Sequence, residues 1–277
     1  MATHASILPP LQRLHRATMA WLTSWWRLFQ FAGLLLMRAV APSSYRRDNR
    51  NALANHLVLA TAPNLLWFSV LAALISLVII RIVVVTAASY GLSGYALEMV
   101  VRVLVLELIP LTAALFVALR STLPASVEFA QMRVAAAAAA PAGSAGDVPS
   151  PAFVLRTEFY PRAAAGIFAV WMLAAVSCVL TLILAYITIY GFTPWALPGY
   201  TRVVGQIFNP AVSMILLLKI FFFSLAVGII PLASAFYDEA ANPVLHRFRS
   251  THGLSDMVRM FSVILLIEAA SLMGNYY

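Results

Sequence analysis

Charge is what this sequence has least of. Asp, Glu, Lys and Arg make up 10% of its 277 residues, against 62% hydrophobic, which leaves too little polar surface to cover a water-soluble globule of that length. The single cysteine, Cys178, lies inside an apolar stretch and excludes an intrachain disulfide framework. No Walker A pattern, nucleophile elbow or paired metal-ligand spacing occurs, so neither nucleotide hydrolysis nor a metal or other cofactor is expected of the chain. Ten-residue segments of alternating polarity, the mark of a membrane β-barrel, are missing. So is a basic stripe interleaved with aromatics, and the net charge of +8 is therefore not read as nucleic-acid binding.

What the chain does have is long apolar runs. A helix crossing a hydrocarbon core of about 30 Å needs about 20 residues, and five stretches qualify: 63–88, 97–119, 163–190, 211–236 and 257–275. The expected fold is an all-α integral membrane protein of five transmembrane helices. Residues 1–20 read as an N-terminal tail. Residues 21–42 read as an amphipathic helix lying in the membrane interface, with Trp21, Trp25, Trp26, Phe29 and Leu36 toward lipid and Ser24, Arg27, Gln30 and Arg38 toward water, ended by Pro42. A sixth transmembrane helix is the alternative there. Residues 43–277 form the main domain, interrupted at 134–151 by an alanine run and a Pro/Gly/Ser-rich stretch that reads as a flexible loop.

Basic residues are retained on the cytoplasmic side of short loops. With the N-terminus inside, the segments 1–62, 120–162 and 237–256, together with Arg259, hold 14 of the 18 basic residues. The outer loops hold only Arg202. A multi-pass protein with a cytoplasmic N-terminus and a C-terminus on the far side is expected.

Ionisable groups inside a bilayer cost at least about 2.5 kcal/mol each near a helix centre, so each one in a span is a candidate for function. They are Arg81, Arg102, Glu107, Lys219 and Glu268. Arg81 and Arg102 are each about 10 Å from the outer end of their helices, where a planar guanidinium suits a phospholipid phosphate; snorkelling to the headgroups, with Arg102 paired to Glu98, is the alternative. Glu107 and Pro110 place a carboxylate one turn before a broken backbone hydrogen bond, a natural moving element. A buried pairing of Glu107 with Lys219, or of Lys219 with Glu268, is the structural alternative.

The segment Glu107-Leu108-Ile109-Pro110-Leu111-Thr112-Ala113-Ala114-Leu115-Phe116-Val117-Ala118-Leu119-Arg120, followed by Glu128-Phe129-Ala130-Gln131-Met132, resembles the signature of the MlaE/YrbE family. These are the permease subunits of MCE-type lipid ABC transporters. The family reads E-L-G-P-x-L-x-A-L-x-x-A-G-R and then A-A-E-L-G-x-M. Lys219 and Phe223 resemble its L-K-x-x-x-F element, Pro161-Arg162 its Pro-Arg pair, Tyr90-Gly91 its Phe-Gly turn, and Glu268 its intramembrane aspartate. Glycines expected near Ile109, Leu119, Thr122, Ala130, Ser224 and Pro231 are absent, and Val134-Ala135 with the alanine run replaces an E-Q-I-D-A-L segment.

The resemblance implies a permease in the bacterial inner membrane that moves phospholipid or a similar lipid. Its partners would be a second permease copy, a separate ABC ATPase and a periplasmic MCE-domain protein. It also implies that Arg120, Glu128 and Met132 lie where the ATPase couples. Two other readings stay open: a degenerate, non-coupling or structural half of a heteromeric transporter, and an ion-driven secondary transporter using Glu107, Lys219 and Glu268 as a relay. No internal repeat of the kind expected for the latter is evident.

Overall fold

The structure, a computed structural model, describes residues 8–40, 47–125, 128, 159–237 and 250–276. All of these form helices or short turns, with no strand among them. Among the described residues seven helices follow in order: α1 (Leu8–Val40), α2 (Arg47–Ser89), α3 (Ser93–Ala125), α4 (Tyr160–Tyr190), α5 (Leu197–Ile207), α6 (Pro210–Tyr237) and α7 (Ser250–Tyr276). Five apolar stretches are long enough to cross a membrane: Thr61–Ser89, Ser93–Ala125, Tyr160–Tyr190, Pro210–Ser234 and Asp256–Asn275. They agree with the five expected spans. Met132 and the loop 134–151 lie outside the described residues.

The amphipathic N-terminal helix is longer than sequence periodicity implied. It begins at Leu8, not near Trp21, and is not wholly given to lipid. Trp26, Phe29 and Leu36 are exposed as expected, but Phe31 and Leu35 are buried against Phe159, Tyr160 and Leu232 of the bundle. Phe31 and Phe159 meet edge to face, ring centroids 6.1 Å apart, a favoured aromatic geometry. Phe31 and Leu35, one turn apart, lie on the same face.

α2 runs along α4, and Ser76 and Thr181 share a buried hydrogen bond of 3.0 Å between them. Toward one end the bundle packs around Val117, Leu173, Phe223 and Met260; toward the other, around Ile80, Leu104, Val105 and Ala185. α4 and α6 approach closely at Gly166 and Gly228. A Cβ built on Gly228 would lie 2.8 Å from the Ile167 side chain and 3.2 Å from the Ala163 carbonyl oxygen. One on Gly166 would lie 2.9 Å from Thr122 Cγ2. Close helix approach through small residues is therefore kept, at positions other than those where the family signature carries glycine.

α5 occupies the stretch that the span pattern presents as an outer loop. Its apolar spacing, Tyr200, Val203, Val204 and Ile207, is the i, i+3, i+4, i+7 pattern of a helix, and Tyr200 and Ile207 are buried against the bundle. The Tyr200 hydroxyl donates to the Leu182 carbonyl at 2.8 Å. Burial, and then the neighbouring Tyr190, push this hydroxyl up to about 12.

The two turns at this end of the bundle share a sequence pattern, with the 3₁₀ turn one residue later in the second. Tyr90-Gly91-Leu92-Ser93-Gly94-Tyr95-Ala96-Leu97 and Tyr190-Gly191-Phe192-Thr193-Pro194-Trp195-Ala196-Leu197 align without a gap. Each follows a long helix that ends on a glycine at φ +72°, a conformation that disfavours any side chain. Each then makes a single 3₁₀ turn and enters the next helix. The repeat is eight residues long, too short to stand out in a search for duplicated spans.

Candidate functional site

The site begins at a backbone defect. In α3 the residues Val101–Leu108 run in π register, and the Ile109 N–H donates to the Leu104 carbonyl. The next residue, Pro110, has no N–H to give. Its partner would have been the Val105 carbonyl in π register or the Leu106 carbonyl in α register. Both oxygens take side-chain donors from other helices: Cys178 Sγ of α4 lies 3.7 Å from the Val105 oxygen, and Lys219 Nζ of α6 lies 3.2 Å from the Leu106 oxygen. The sulfur contact is the weaker of the two.

Lys219 is almost fully enclosed, its side chain 1% exposed. Its ammonium is paired with Glu107 of α3 and lies 2.8 Å from Glu268 Oε2 of α7. It also sits 5.8 Å from the centroid of the Phe223 ring, one turn along α6. Glu107 Oε1 accepts from Asn275 Nδ2 at 3.0 Å. Three helices, α3, α6 and α7, therefore meet at one lysine. The alternative pairings considered from sequence, Lys219 with Glu107 and Lys219 with Glu268, occur together. Such a joint is strongly destabilised by loss of one partner, since that leaves a buried charge uncompensated.

The two arginines placed near the outer end differ. Arg102 Nε donates to Glu98 Oε1 at 3.0 Å, one turn earlier on α3, as the spacing predicted. Arg81 is exposed on α2, beside the exposed apolar side chains of Val78, Ile82 and Val85. An apolar groove of about 220 Å³ opens between α2 and α3, lined by Phe68, Ile75, Leu104, Leu108 and Phe116. Neither arginine lines it.

At the other end of the bundle, Arg120 Nε donates to Asn64 Oδ1 at 2.8 Å. Glu128 and Arg162 pair at 3.4 Å, with the Glu128 side chain 59% exposed. These four residues line an open cleft of about 750 Å³. Pro161 sits in the first turn of α4, where a missing N–H costs nothing.

Sequence reasoning missed Asn275 and Asn64. Each is a lone amide beside an apolar run, and only its partner across the bundle shows what it does. No group of three or more His, Cys, Asp or Glu that could hold a metal ion occurs among the described residues.

The geometry is that of a joint among apolar helices with a charged cleft at one end of the bundle. The family model described as Permease MlaE matches residues 53–271. No curated protein matches the chain.

Proposed function

Because the chain belongs to the MlaE permease family, whose members are membrane components of lipid ABC transporters, we propose that it carries phospholipid or a similar lipid across the bacterial inner membrane as part of an MCE-type assembly. It is a transporter subunit and not an enzyme; in this family ATP hydrolysis sits in a separate subunit, and the permease works with that ATPase and with substrate-binding partners. The observation that carries the reading is the match over residues 53–271, most of the chain.

In this reading two copies of the permease bind two cytoplasmic ATPases and a periplasmic MCE-domain protein. The N-terminus faces the cytoplasm, in keeping with the arginine asymmetry. The joint of Glu107, Pro110, Lys219 and Glu268 is the gating element, since a shift of α7 against α3 must pass through the Lys219 ion pairs. Arg81 and Arg102 meet lipid phosphate near the outer surface. Arg120, Glu128 and Met132 belong to the surface that couples to the ATPase, and the cleft around Asn64 and Arg162 receives part of it.

The test is purification of the full chain from its own membranes in mild detergent, followed by identification of bound proteins and lipids by mass spectrometry. An ABC ATPase, an MCE-domain protein and stoichiometric phospholipid are expected. Recovery of the chain with no ATPase and no lipid overturns the reading.

A further inference from the structure

Two carboxylates face a single ammonium in the Lys219 cluster. Glu107 and Glu268 both lie on Nζ, their side chains 12% and 13% exposed, so that one nitrogen separates the two carboxyl groups. The remaining neighbours supply no second positive charge among the described residues. Asn275 of α7 is neutral, and so is the Leu106 carbonyl of α3. α4 brings Cys178, which points its sulfur to Val105. Arg102, on the same helix as Glu107, is engaged by Glu98, and Arg81 is on the outer surface of α2.

Fully ionised, this cluster would hold one uncompensated negative charge in a water-poor bundle. Two carboxyl groups that close together cannot both ionise easily, because like charges disfavour it and burial weakens the solvent that would relieve it. A proton on one of them brings the cluster to neutrality.

We propose that Glu107 and Glu268 bind one proton between them at neutral pH, so that the Lys219 cluster is a proton-binding site inside the bundle. Any movement that draws α7 away from Lys219 changes what that proton is bound to. Opening the joint is thereby linked to proton uptake or release. This is a property of the chain itself and stands whether or not lipid is the cargo.

The test is infrared spectroscopy of the full-length protein in detergent micelles at pH 7. Wild type is expected to show one protonated-carboxyl C=O band that shifts on exchange into D₂O. Glu107→Gln and Glu268→Gln should each lose it, because one remaining carboxylate balances Lys219. Lys219→Met should roughly double its area, since neither carboxyl then has a cation. The band should be the same in sodium and potassium buffers. Absence of the band from wild type overturns the proposal without reference to any variant. So does its persistence in both glutamine variants, or its appearance only when sodium is left out, which would make a bound sodium ion the missing charge.

Discussion

Lys219 Nζ stands 3.2 Å from the carbonyl oxygen of Leu106, the acceptor that an α-helical residue at Pro110 would have used. One side chain therefore closes a backbone gap and anchors two carboxylates. Lys219→Met is expected to destabilise the protein by about 3–5 kcal/mol, the cost of breaking a buried pair. Pro110→Ala restores a backbone donor to this stretch of α3. In that background Lys219→Met should cost about 1 kcal/mol less, the worth of one hydrogen bond. Denaturant titration of the four proteins in micelles gives the cycle; strict additivity would mean that the carbonyl contact carries no stability.

The second prediction concerns Gly228. Its Cβ would meet the Ala163 backbone oxygen at 3.2 Å as well as the Ile167 side chain, and backbone cannot step aside. Gly228→Ala should lower stability by about 1–3 kcal/mol, as overpacking does. Gly166→Ala is crowded by Thr122 Cγ2 at 2.9 Å, its other neighbour, Gly228 Cα, lying at an ordinary 3.8 Å, so adding Thr122→Ser should recover most of its loss. Gly205, with nothing within 4 Å, is the control; Gly205→Ala should be neutral or stabilising. Equal losses at Gly228 and Gly205, measured by thermal unfolding, would remove the packing argument.

Lipid retention tests Arg81. Arg81→Ala should reduce the phospholipid that co-purifies with the protein more than Arg81→Lys does, because lysine keeps the charge and loses only the bidentate fork. Arg202→Ala, on α5, should change little. If mass spectrometry finds wild-type lipid in Arg81→Ala, the arginine is snorkelling to headgroups and takes no part in holding cargo.

Coupling to an ATPase can be separated from folding at Glu128. Its ion pair with Arg162 is long at 3.4 Å and the glutamate is 59% exposed, so Glu128→Lys should alter stability by less than about 1 kcal/mol. The same charge reversal should abolish capture of the ATPase and the stimulated hydrolysis, if the cleft is the docking surface. Deleting Ala135–Ser150 should leave both near normal. Intact assembly with Glu128→Lys would place the docking surface elsewhere.

The spans were legible because a bilayer demands one thing of a helix, sustained apolarity, and that is written residue by residue. The charges inside them were legible for the same reason: Glu107, Lys219 and Glu268 stand out against leucine and valine. What sequence could not show was that one lysine serves both glutamates, because that depends on the rotation of α3, α6 and α7 about their axes. Asn275 was hidden likewise. α1 was half legible: its aromatics announced an amphipathic face, while the burial of Phe31 and Leu35 needed the positions of Phe159 and Leu232. The length of α5 is written in the spacing of Tyr200, Val203, Val204 and Ile207, but a short helix between spans looks in sequence like any other loop.

The π register of Val101–Leu108 has a mechanical consequence. A helix wound that way holds one residue of slack relative to an α-helix, and in an α-helix one residue corresponds to about 100° of rotation. Taking up that slack turns the part of α3 that carries Glu98 against the part that carries Pro110, like a screw advanced by a fraction of its thread. Both ends stay hydrogen-bonded while it turns, and Glu107, lying between them, is the residue whose direction changes.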